Sequence, residues 1–123
     1  MATRAKGTTS RRAEFEHYAA VYAALSEPVR MEVIRLIQGV EELPCTVLAA
    51  TLPISKSTIS YHIKILYHAE LISVRKDGRN YHYTLRRDVF ESYVPGFLGR
   101  LEGSRKVEIG RRRSVQRTAA AVA

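Results

Sequence analysis

Between residues 52 and 85 the chain reads LPISKSTISYHIKILYHAELISVRKDGRNYHYTL, a run of hydrogen-bond donors and cations at helical and then at strand spacing. Lys56, Ser57, Thr58, Ser60, Tyr61 and Lys64 fall on one side of a predicted helix. Its other side carries Ile59, Ile63 and Leu66 at i, i+4, i+7. Hydroxyls, a phenol and ammonium groups presented this way can donate to base edges and to phosphates. After the helix, the basic turn RKDGRN supplies Arg75, Lys76 and Arg79 between two alternating stretches. A helix with a hydrogen-bonding face followed by a basic β-ribbon is how a winged helix-turn-helix holds duplex DNA. The helix enters the major groove and the ribbon lies along the backbone.

Other chemistries are poorly represented. No nucleophile–base pair, phosphate-binding glycine loop or HExxH element occurs, so an enzyme is not expected. KDGRN is a turn rather than a phosphate cradle. A single cysteine, Cys45, rules out an internal disulfide and fits a reducing cytoplasm. No run of about 18 apolar residues is present to span a membrane. The opening MATRAKGTTSRRAEF has no apolar core of a secretory signal.

The elements that must position the donors can be read outward from them. Phe15, Tyr18, Ala19 and Tyr22 recur at helical spacing between Arg12 and Leu25. Ser26 looks like a helix cap, with Pro28 suited to the first turn of a helix that Gly39 ends. Its inward residues are expected to be Val29, Val33, Leu36 and Ile37. VEELPCT reads as an extended link, and Thr46 as the cap of a short helix over 47–51. Leu52-Pro53-Ile54 makes the turn, and Ser55 caps the donor-bearing helix. Asp77-Gly78 signals a hairpin between strands 71–75 and 80–85. A last helix over 86–101 carries Val89, Phe90, Tyr93, Val94, Phe97 and Leu98, and Pro95-Gly96 must kink or interrupt it.

At 123 residues, with 46% hydrophobic content, the chain suits one small domain. The expected fold is mainly α with a small antiparallel β-hairpin wing, a winged helix-turn-helix of about five helices. Residues 1–11 are expected as a disordered basic arm, 12–102 as the DNA-binding domain, and 103–123 as a disordered basic tail. The net charge of +8 is unevenly spread. Arg4, Lys6, Arg11 and Arg12 face no acid in the first twelve residues, and the last 21 carry +5. Residues 13–55 sum to −4 and residues 56–87 to +5, so the positive side coincides with the helix and ribbon.

Three segments, ALSEPVRMEVIRLI, SKSTISYHIKIL and LISVRKDGRNYHYTL, carry a specific match. In order and spacing, from about Tyr22 to Leu98, the chain resembles the ArsR/SmtB family of bacterial transcriptional repressors. The resemblance implies a cytoplasmic, sequence-specific repressor that pairs as a homodimer through its first and last helices and binds an inverted-repeat operator. Phe15, Tyr18, Tyr22, Phe90, Tyr93 and Phe97 are the expected dimer contacts. It also assigns base reading to Lys56, Ser57, Ser60 and Tyr61. Lys56 stands where a glutamine is common, and Tyr61 where a histidine is common. Ser55, Thr58 and Lys64 suit phosphate contacts, as do the wing residues Arg75, Lys76 and Arg79.

Many members of this family sense metals. One familiar site needs a Cys-x-Cys-type element, and here the segment LPCTVL offers Cys45 alone. Another needs histidine on the last helix, where only Asp88 and Glu91 remain. His62 and His68 are six residues apart on one helix, and His82 alternates with Tyr81 and Tyr83. No cofactor is expected. His17 and Cys45 are the speculative ligands of a non-standard nickel or zinc site, which would make the protein a metal-responsive regulator. A further alternative is a winged-helix module that binds a regulatory partner protein, although the Ser57/Tyr61 face lacks the acidic or apolar residues that reading favours.

Overall fold

The computed structural model describes residues 2–102, with side chains from residue 10 onward. Helix α1 (Ala2–Ala24) leads to α2 (Pro28–Gln38), the two-residue strand β1 (Leu43–Pro44), α3 (Cys45–Thr51) and α4 (Lys56–His68). Strands β2 (Ile72–Asp77) and β3 (Asn80–Leu85) form the wing, and α5 (Arg87–Tyr93) follows. The chain is helical again over 97–102. Among the described residues no helix is long and apolar enough to cross a membrane.

Local chemistry sets most boundaries. Glu27, rather than the expected Ser26, caps α2, its carboxylate accepting from the N–H groups of Val29 at 2.7 Å and Arg30 at 3.2 Å. Ser26 instead closes α1, its hydroxyl donating to the Ala23 carbonyl at 2.6 Å. Pro28 occupies the first turn of α2, where its missing N–H costs nothing. Helix α3 starts at Cys45 after an extended Pro44 with no side-chain cap, so Thr46 lies inside the first turn. Pro95 and Gly96, with φ of 86° at the glycine, interrupt the last helix as expected.

Helix α1 begins at Ala2, so the stretch expected as a disordered arm to residue 11 is helical backbone. Apart from Gly7 that stretch holds no helix breaker. The basic tail expected over 103–123 lies outside the described residues.

The sheet is antiparallel in the order β1-β3-β2. Ile72 pairs with Leu85 and Asp77 with Asn80, leaving Gly78 and Arg79 as a two-residue loop. Gly78 has φ of 65°, the positive value this hairpin turn demands at its first position. The link expected as merely extended adds a third strand, Leu43 lying opposite Tyr83. Leu43, Tyr83 and Leu85 all turn toward the core.

That core joins every element. Val21 and Ala24 of α1, Val33, Ile34 and Ile37 of α2, Leu48 of α3 and Leu66 of α4 are almost wholly buried. Burial of each large apolar side chain contributes about 1.5–3 kcal/mol. Ile34 and Arg30 are buried where the sequence pointed to Leu36 and Val29, which are half-buried. The aromatic stripe of α1 lies on the other side of that helix, with Phe15 62% and Tyr22 56% exposed. Phe90 corrects the expected dimer set. It is only 1% exposed and packs within the protomer, its ring centroid 6.0 Å from that of Phe97.

Candidate nucleic-acid interface

Helix α4 starts on a cap built from its own hydroxyls. The Ser55 oxygen accepts from the Thr58 N–H at 3.2 Å and lies 2.9 Å from the Thr58 hydroxyl and 3.1 Å from that of Ser57. This satisfies one of the orphan N–H groups of the first turn and fixes where the helix begins. Ile59, His62, Ile63 and Leu66 then turn inward. Lys56, Ser57, Thr58, Ser60, Tyr61 and Lys64 are all exposed, so one helix face presents every donor assigned to it from sequence. Tyr61 is 60% exposed, and its ring meets that of His62 edge-on at 5.4 Å.

Two residues that sequence reasoning left without a role hold this helix in place. Arg30 of α2 is 7% exposed and sends its guanidinium into the junction of three helices. Its Nε donates to the Ala24 carbonyl at 2.7 Å and its terminal nitrogens to the Ala23 carbonyl at 3.2 Å and to His62 Nδ1 at 3.0 Å. A guanidinium only donates, so His62 Nδ1 accepts and its proton resides on Nε2. One buried cation thus ties the end of α1 to the middle of α4. Both residues stand inside the segments ALSEPVRMEVIRLI and SKSTISYHIKIL, the only sequence signal that marked them.

The wing is less uniformly available. Lys76 and Arg79 are exposed near its tip. Arg75 is engaged: its Nε and a terminal nitrogen donate to the two oxygens of Glu42 at 2.9 and 2.8 Å, and Asp77 lies 4.0 Å away. His82, paired across the ladder with Arg75, brings Nδ1 to 3.8 Å from the same carboxylate. The hydrogen bond from Arg75 holds the Glu42 carboxyl below its ordinary value of 4.5, and Glu42 raises Arg75 in return. Any stability from this pair is therefore present above pH 4.5 and lost as pH falls through the lowered Glu42 value. The contact spans 33 residues, with no sequence signal to announce it.

The speculative metal ligands are occupied at different elements. His17 donates from Nε2 to the Ala69 carbonyl at 2.9 Å. Cys45 is half-buried and receives the Tyr81 N–H at 3.4 Å. Asp88 pairs with Arg86 at 3.1 Å, which holds its carboxyl below the ordinary range, and Glu91 is exposed. Among the described residues no three His, Cys, Asp or Glu side chains are grouped to hold a metal ion.

Replacing Arg30 with alanine leaves His62 Nδ1 and the Ala24 carbonyl without their donor, while the Ala23 carbonyl keeps the Ser26 hydroxyl. A loss of about 2–4 kcal/mol in urea unfolding is expected. A loss under about 0.5 kcal/mol would remove the buried guanidinium from its structural role.

Comparison with known proteins agrees with this geometry. A family model described as a helix-turn-helix domain matches residues 25–75. An HTH-type transcriptional regulator of Bacillus subtilis, YceK, is 38% identical over 91 residues, covering 73% of this chain and 91% of its own. The arsenical resistance operon repressor of Staphylococcus xylosus is 30% identical over 80 residues, covering 65% of this chain and 75% of its own. An ArsR-like transcriptional regulator from Rhodococcus sp. RHA1 has the same fold, with a TM-score of 0.59 at 24% identity, over 88% of this chain and 96% of that one. An exposed donor helix, a basic wing, and relatives matched over most of their length place the chain in the ArsR/SmtB family of winged helix-turn-helix transcriptional regulators.

Proposed function

We propose that the protein is a sequence-specific repressor that binds an inverted-repeat operator as a homodimer in the cytoplasm. The observation that carries this reading is the exposed face of α4, where six polar side chains stand clear of a buried apolar face. Lys56, Ser57, Ser60 and Tyr61 read bases, with Lys56 donating to a guanine edge and Tyr61 offering its ring to a thymine methyl and its hydroxyl to a neighbour. Ser55, Thr58 and Lys64 meet phosphates and fix register, and the hydroxyls already joined at the cap are preorganised to do so. Lys76 and Arg79 extend the backbone contacts along the wing.

Pairing is supported by the aromatic side of α1. Phe15 and Tyr22 are exposed, and Tyr18, Tyr93 and Phe97 are half-exposed beside them in the fold or on the last helical segment. Phe90 is withdrawn from that set because its side chain is used within the protomer. Signalling through a metal has no comparable support, because His17 and Cys45 are engaged at separate elements. We infer regulation that is independent of nickel and zinc. Fluorescence anisotropy on a duplex selected from a random library, with and without each metal, tests both parts. Affinity changing tenfold or more with metal, about 1.4 kcal/mol of coupling, would overturn the metal-independent reading.

Three substitutions separate the contacts. Tyr61→Ala is expected to cost about 1–3 kcal/mol on the selected duplex and much less on a scrambled one; equal losses on both would remove Tyr61 from base reading. Arg79→Ala should weaken binding to both duplexes alike and lower the salt slope by about 0.9. Identical slopes in variant and wild type would end the wing's role at that residue. Glu42→Gln releases Arg75, so affinity for scrambled DNA should rise and the salt slope should steepen by up to about 0.9. An unchanged slope would mean that Arg75 does not reach phosphate even when freed.

A further inference from the structure

Helix α4 is tied to α1 at a second point, remote from its DNA-facing end. His17 donates from Nε2 to the carbonyl of Ala69, the C-cap of α4. The Glu70 carboxylate lies 3.8 Å from the same nitrogen. The imidazole packs against Tyr93 of α5 with centroids 4.3 Å apart, and Tyr93 meets Tyr18 edge-on at 4.5 Å. One ring therefore touches α1, α4 and α5.

The turn it holds is unusual. The Leu71 N–H donates to the Leu66 carbonyl at 3.0 Å and the Glu70 N–H to the Tyr67 carbonyl at 2.9 Å. This is the pattern that closes a helix through one left-handed residue, commonly glycine. Here that residue is Glu70, with φ of 63°. A non-glycine residue persists there only when its surroundings hold it. Leu66 and Leu71 are fully buried beneath the turn, and His17 grips it from outside.

The two ties are parallel constraints. Arg30 links the carbonyls at 23 and 24 to His62, and His17 reaches the carbonyl at 69. Along each helix they are six or seven residues apart, about 10 Å at 1.5 Å per residue. The apolar packing of Ile59, Ile63 and Leu66 is non-directional, and two polar ties at separate points add the directional constraint on α4 that one alone would not. We propose that His17 is a positioning residue that sets the angle of the recognition helix relative to the α1/α5 pair. Two recognition helices must sit one helical turn of DNA apart, about 34 Å, so that angle governs whether both reach their half-sites. The inference rests on the dimeric DNA-binding reading given above.

His17→Phe keeps a ring against Tyr93 and removes the donor, while His17→Gln restores a donor of similar reach. Affinity is measured by anisotropy on the selected inverted repeat and on its scrambled counterpart, and amide exchange by NMR on the free protein. His17→Phe is expected to lose about tenfold on the inverted repeat and less than about twofold on the scrambled duplex, with His17→Gln recovering most of the loss. Exchange at the Glu70 and Leu71 amides should quicken about tenfold in His17→Phe, while the β2–β3 amides keep their rates. Equal losses on both duplexes, or none, would overturn the proposal. Should His17→Phe fail to fold, His17→Asn, too short for the carbonyl, is read in the same two ways. A wild type that binds both duplexes alike would sink the DNA reading alone, and the exchange result would then decide the tie: unchanged rates overturn it.

Discussion

Arg30 carries a positive charge into a site where an unpartnered ion would cost several kcal/mol. The charge is tolerated because two carbonyls at the end of α1 and the imidazole of His62 accept its N–H groups. The Ala24 carbonyl would face Pro28, which has no N–H, and the Ala23 carbonyl shares its acceptor sites between Ser26 and Arg30, so the guanidinium completes the helix end as the helix end solvates the charge. Lysine could not reproduce this, since the contact uses the separate nitrogens of a planar fork. Through His62 the same group sets the depth of α4, and the exposed donors on its outer face inherit their position from that bond.

Charge is divided between surfaces in a way that complements this frame. Residues 56–87, which hold α4 and the wing, sum to +5, while residues 13–55 before them sum to −4. Such a separation orients a molecule in the field of a polyanion before any contact forms. Glu42 is the exception, placed from the negative half against the wing at Arg75. It lowers the free charge of the ribbon without removing a cation from the sequence, and exposed pairs of this kind cost little to rearrange.

Where residues act locally, the sequence was a good guide. Ser55 capping α4, the Ile59-Ile63-Leu66 stripe, the wing strands and the break at Pro95-Gly96 follow from patterns a few residues long. The exposed positions of Lys56, Ser57, Ser60 and Tyr61 follow from the same stripe. Elements that depend on distant partners were not legible. β1 is two residues long, includes a proline, and is a strand only because Tyr83 lies opposite Leu43. Phe90 and Tyr93 share an apolar run, yet only the packing of α5 buries the first and leaves the second half-open. The Glu42–Arg75 pair and the His17–Ala69 bond join residues 33 and 52 positions apart, beyond any window of periodicity. Glu27 displaced Ser26 as a cap because its longer side chain reaches back to two N–H groups at once.

The two-residue loop at Gly78 has a bearing on how such a ribbon can change over generations. Tyr83 and Leu85 face the core while Tyr81, nearer the tip, is exposed. A slip of the ladder by one position would turn Tyr83 outward, so the core holds the register of the ribbon. Register is therefore fixed, whereas the side chains at 76 and 79 project beyond the core and can be exchanged at little cost to folding. Affinity for a polyanion can drift in single steps of charge on an unchanging scaffold.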